Sequence, residues 1–125
     1  MNSNRNPVGW FEIYVQEMAR ARAFYEKTFE VVLQKLETSG LEMWTFPMYQ
    51  DSSGCTGALV KYDGKDSGGG GTIVYFMCED CGVVASRAVQ NGGRVQKPKM
   101  SIGQHGFISL VYDTEGNMIG LHSMK

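Results

Sequence analysis

The chain has 125 residues, 12 Lys and Arg against 13 Asp and Glu, and a net charge of −1, so it lacks the basic footprint of a nucleic-acid binder. No apolar run approaches the roughly 18 to 20 residues that cross a bilayer. Its length suits one domain that buries a core unaided, and three cysteines with no secretory signal argue against a disulfide framework. The polar start MNSNRNPVGW lacks a signal peptide's apolar segment, which sets the expectation of a cytoplasmic protein.

Residues 1–7 read as a loose tail stopped by Pro7. From Gly9 to Val15 the chain alternates, with Phe11, Ile13 and Val15 on one face and Trp10, Glu12 and Tyr14 on the other. Met18 to Phe29 predicts an amphipathic helix whose stripe is Met18, Ala21, Phe24, Tyr25 and Thr28. That stripe is expected to cover the Phe11, Ile13, Val15 face. Further strands are predicted at Val31–Leu36, Glu42–Met48 and Gly57–Tyr62, with Trp44, Phe46 and Met48 sharing one side of the second. Pro47, lacking an N–H, suits an edge or strand end.

Residues 63–71 (DGKDSGGGG) read as a flexible connector, because a phosphate loop would open a helix and end in Lys-Ser or Lys-Thr. A strand at Thr72–Cys78 follows instead. Asp80 then caps a second helix with the stripe Val84, Ala85, Ala88 and Val89, ended by Asn91-Gly92-Gly93. A short strand at Arg94–Lys97, a loop from Pro98 to Gln104, a long strand at His105–Asp113 and a last strand at Asn117–His122 complete the chain.

Shifting the chain by 62 or 63 residues superimposes its halves. Trp10 meets Ile73, Val15 meets Cys78, Val32 meets Val95, and the turn Asp51–Gly54 meets Asp113–Gly116. Identity is low, but element type, order and spacing agree throughout, as a duplicated unit requires. The expected architecture is α+β: two tandem β-α-β-β-β modules whose sheets curl around a central cleft. One domain spans residues 1–125, with module one at about 8–62, the connector at 63–71 and module two at about 72–125.

This pattern resembles the vicinal oxygen chelate superfamily of glyoxalase I, bleomycin-resistance proteins and extradiol dioxygenases. The likeness rests on Val15–Phe29 (VQEMARARAFYEKTF), Asn91-Gly92-Gly93 and the hairpin Asp113–Leu121 (DTEGNMIGL). Glu30 departs from it, standing where the family often has Gly after its first helix. Metal-dependent members take ligands from four strand positions, which by the resemblance fall at Trp10, Gly57 or Ala58, Ile73 and Gly120. None of these offers a donor, since a divalent ion needs several convergent N, O or S atoms. The expectation is therefore no metal and no cofactor.

The same positions fix the cleft-facing parity. Trp10, Glu12, Tyr14, Tyr75, Met77 and His122 are expected inside, joined by Trp44, as the walls of a pocket for a small organic ligand. Glu12 and His122 are its expected ionisable pair, suited to a cationic or hydrogen-bonding ligand or to proton transfer; whether the protein catalyses anything stays open. Two alternatives stand beside this reading. One is a metal-dependent lyase or dioxygenase of the same superfamily. The other is a thiol redox protein using Cys78 and Cys81, although the sequence around that CxxC lacks the usual redox context. A homodimer is implied by the resemblance, and the glycines of the connector would permit module exchange.

Overall fold

The computed structural model describes residues 8, 10–38, 40–64, 66–69 and 72–125. The expected tail over 1–7, the strand start at Gly9 and the connector positions Lys65, Gly70 and Gly71 lie outside the described residues. In chain order the rest forms β1 (Trp10–Tyr14), α1 (Met18–Phe29), β2 (Gln34–Leu36), β3 (Glu42–Thr45) and β4 (Thr56–Lys61). Then come β5 (Tyr75–Met77), α2 (Cys81–Gln90), β6 (Arg94–Ser101), β7 (Phe107–Tyr112) and β8 (Met118–Ser123). These are two β-α-β-β-β modules, each with a four-stranded mixed sheet, in the orders β1-β4-β3-β2 and β5-β8-β7-β6.

The duplication extends to strand register. β1 runs parallel to β4 with Glu12 opposite Ala58, and β5 runs parallel to β8 with Tyr75 opposite Gly120. Each helix packs on one face of its own sheet, and the two helices also pack on each other, so the covered faces merge into one core across both modules. The stripe of α1 is buried as its periodicity predicts: Met18, Ala21, Phe24, Tyr25 and Thr28. Ile13 and Val15 lie beneath it, and each large apolar side chain removed from water there contributes about 1.5–3 kcal/mol.

Both helices are capped by acidic side chains. The Glu17 carboxylate accepts from the Ala19 N–H, and Asp80 accepts from Gly82. At its other end α1 terminates on Glu30, which is left-handed at φ 57°. Among the described residues Glu30 is the only non-glycine with positive φ, the conformation for which a helix end favours glycine.

Several boundaries differ from expectation. In α2 it is Cys81 that joins Val84, Ala85 and Ala88 in the buried stripe, while Val89 is exposed. β6 runs on through Pro98 to Ser101 rather than breaking into a loop. It tolerates proline because β6 is the outer strand of its sheet and its register shifts between Val95 and Lys97 and again before Met100. β7 starts at Phe107, and His105 closes a 3₁₀ turn ahead of it.

Candidate functional site

On the uncovered face of β1 the two-residue spacing aligns Trp10, Glu12 and Tyr14. The Trp10 indole Nε1–H donates to Glu12 Oε2 at 3.2 Å, and the Tyr14 hydroxyl donates to Oε1 at 2.8 Å. The carboxylate is thus held between two aromatic donors. The Glu12 hydrogen bond, with some burial, raises the Tyr14 pKa, so the phenol stays protonated and donating. Next to this strand, Met43, Ala58 and Val60 form a small apolar cluster against which Tyr14 packs.

Glu12 and Tyr14 also wall a groove of about 370 Å³ that is bounded by β1, residues 66–68, residues 72–74 and the start of β8. Asp66, Ser67, Ile73 and Met118 also line it. Among the described lining residues none is basic, and two are carboxylates.

A polar clasp sets the width of this groove. The Asn117 side-chain amide donates to the Tyr14 carbonyl at 3.0 Å, and its oxygen accepts from the Gly68 N–H at 2.7 Å. The buried Glu115 carboxylate accepts from the N–H groups of Gln16 and Glu17, each at 3.1 Å, and from Arg20 Nε at 2.6 Å. The Ser67 hydroxyl donates to the Glu115 carbonyl. Burial pushes the Glu115 carboxyl up, but the donors of Arg20, Glu17, Gln16 and Thr114 outweigh it and hold the group at about 2. Beneath it the buried Tyr25 hydroxyl donates to Asp113 Oδ2 at 2.7 Å. Burial and the nearby Asp113 carboxylate push that phenol well above its usual range.

The other expected site residues separate. Tyr75 and Met77 lie on the uncovered face of β5, exposed. His122 faces the same way on β8, with Nε2 2.7 Å from the His105 carbonyl and Nδ1 buried without a hydrogen-bond partner. It does not line the groove that holds Glu12, so the expected Glu12–His122 pair is not brought together there.

Trp44 is a correction. It pairs with Leu59 and faces α1, its Nε1–H donating to Glu42 at 3.0 Å and the Arg22 guanidinium stacked 3.5 Å above the ring. Phe46 is in the core beside it, and Met43 is the β3 residue on the uncovered face. The alternation of β3 was legible, but its parity was inverted, because the larger aromatics belong to the merged core.

Comparisons with known proteins agree with this geometry. The family profile described as Glyoxalase/Bleomycin resistance protein/Dioxygenase superfamily matches residues 8–121. The chain belongs to this superfamily. A search of curated proteins finds no match. Among solved structures, it resembles a glyoxalase/bleomycin resistance protein from Albidiferax ferrireducens at 14% identity and TM-score 0.69, covering 94% of this chain and 98% of that one. A hypothetical protein, SA1046 from S. aureus, matches at 12% identity and TM-score 0.68 over 96% and 95% of the two chains. Glyoxalase I from Zea mays matches at 16% identity and TM-score 0.72 over 94% of this chain, which spans about half the length of the maize protein (46%). At these identities the likeness establishes the fold.

The four positions at which the resemblance would put metal ligands can be compared with the side chains present. The register puts Ala58 rather than Gly57 on the uncovered face, opposite Glu12. Gly120 is covered by Tyr75: a Cβ there would lie 2.3 Å from its ring. Trp10 offers an N–H already given to Glu12, and Ile73 offers nothing. Among the described residues no three His, Cys, Asp or Glu side chains gather as a metal would need. As placed, Trp10, Ala58, Ile73 and Gly120 present no convergent side-chain lone-pair donors of the kind a divalent ion takes.

The cysteines fit a redox pair no better. Cys81 is fully buried at the start of α2, and burial, then Cys81 and Asp80, push the Cys78 thiol up to about 11. A redox cysteine needs the opposite shift. Asp66, Ser67, Asn117 and Glu115 were not singled out from sequence. Asp113–Asn117 (DTEGN) is polar throughout and reads from sequence as an exposed hairpin turn, which hides the inward role of Glu115 and Asn117.

Proposed function

We propose that this superfamily member binds a small organic cation in the groove beside Glu12, without a metal. One observation carries the reading. A carboxylate fixed by Trp10 and Tyr14 opens on a groove whose second charged wall residue, Asp66, is also acidic. Tyr14, which lines the groove, adds a ring face that attracts a cation by about 0.5–1 kcal/mol at an exposed site. Because two donors hold Glu12, it enters binding already oriented, which lowers the ordering cost of recognition.

The exposed Trp10, Tyr62, Tyr75 and Met77 further support a second copy of the chain as the cover for the uncovered sheet faces, making the protein a homodimer. For the ligand, calorimetric titration with a panel of aromatic and aliphatic ammonium compounds is the direct test. Glu12→Gln keeps shape and removes charge, so it is expected to weaken a binding cation about tenfold or more with the melting temperature unchanged. Equal affinity of the variant and the parent would refute the reading. A divalent ion present at about one per chain in untagged protein would restore the metal-dependent alternative.

A further inference from the structure

The seam between the modules is closed at one end and open at the other. At the closed end Tyr25 reaches Asp113 and Arg20 reaches Glu115, both across the seam. The repeat puts Ala88 where Tyr25 stands, Val83 where Arg20 stands, and Asp51 and Ser53 where Asp113 and Glu115 stand. Ala88 has no polar atom to reach with, Val83 is half exposed, and Ser53 is too short to repeat the Glu115 clasp.

The second half of the duplicated clasp is therefore missing, and in its place lies a groove of about 660 Å³. That volume is in the range of small-molecule sites. Its floor is aromatic. Phe76 stacks on Phe29 at 4.5 Å and meets Phe11 edge-on at 5.9 Å, with Phe46 at 5.6 Å.

Two charged residues line this groove, Glu79 and Arg87. Glu79 is exposed and ion-paired with Lys125 at 3.4 Å. Arg87 donates from Nε to the Thr28 carbonyl at 2.8 Å, which anchors the guanidinium across the seam. Among the described residues no carboxylate lies within ion-pairing distance of it. A cationic fork held by one backbone bond, beside an apolar floor, is a partial recognition site whose missing half is a planar anion.

We propose that this groove binds a small amphipathic carboxylate, its aromatic body against Phe11, Phe29, Phe46 and Phe76 and its carboxylate on Arg87. The site is separate from the acidic groove at Glu12 and selects the opposite charge. The test is calorimetric titration of the full chain with 2-naphthoate and with its uncharged methyl ester. Naphthoate is expected to bind, and the ester to bind about tenfold or more weakly, the scale of one charge-assisted contact. Arg87→Gln is expected to reduce naphthoate affinity by a similar factor.

Because Arg87 also ties α2 to Thr28, a second variant separates binding from folding. Cys55 is an exposed rim residue of the groove, and Cys55→Trp is expected to obstruct binding with the melting temperature unchanged. Glu12→Gln is expected to leave naphthoate affinity as it is, so failure at one site is distinguishable from failure at the other. Equal binding of acid and ester, or full affinity in Arg87→Gln or Cys55→Trp, would overturn the proposal.

Discussion

Replacing Glu115 by Gln keeps the side chain's size and removes the charge at the centre of the inter-module clasp. In the fold the carboxyl sits at about 2 against an ordinary 4.5, a difference worth roughly 3 kcal/mol by linkage. Its partner Arg20 is half exposed, so solvent screening reduces the usable part to roughly 2–3 kcal/mol. The sign follows from the direction of the shift. A depressed carboxyl stabilises fully above its unfolded value, near pH 4.5, and that stability is lost as pH falls through about 2. Urea unfolding of both proteins at pH 7, 4.5, 3 and 2.5 reads this directly. The variant is expected to be less stable by roughly 2–3 kcal/mol at pH 7, with the gap closing as acid protonates the parent's carboxyl. A gap that stays constant down to pH 2.5, or is absent at pH 7, would refute the electrostatic account of the clasp.

Two further outcomes test the fold and the assembly. Glu30→Gly relieves a left-handed non-glycine residue that costs about 1–2 kcal/mol. Part of that is offset by the greater freedom of glycine in the unfolded chain, so thermal unfolding is expected to show a gain of up to about 1 kcal/mol. Sedimentation equilibrium at micromolar concentration is expected to return twice the chain mass, and Met77→Glu, which puts charge on the exposed face of β5, is expected to shift it to the monomer.

Much of the scaffold was legible because it follows from local periodicity. The α1 stripe, the helix bounds at Met18 and Phe29 and the order of strands all follow from residues close together in sequence. The duplication was legible as spacing, and it holds at the level of register, Glu12 on Ala58 and Tyr75 on Gly120. Trp44 shows where that method stops. Period two tells which residues of a strand share a side, but only the pairing of Trp44 with Leu59 tells which side the helix covers.

The candidate site divides along the same line. Trp10, Glu12 and Tyr14 are spaced two apart on one strand, so the sequence alone determines that they share a face and that the carboxylate has aromatic neighbours. Tyr25 and Asp113 are 88 residues apart, and Arg20 and Glu115 are 95 apart, so no local pattern links them. Tertiary structure alone decided that this clasp shuts one end of the seam, that its missing twin opens the other, and that Arg87 faces the gap. Strand and helix periods constrain direction within one element, whereas contacts between modules depend on how two finished units dock.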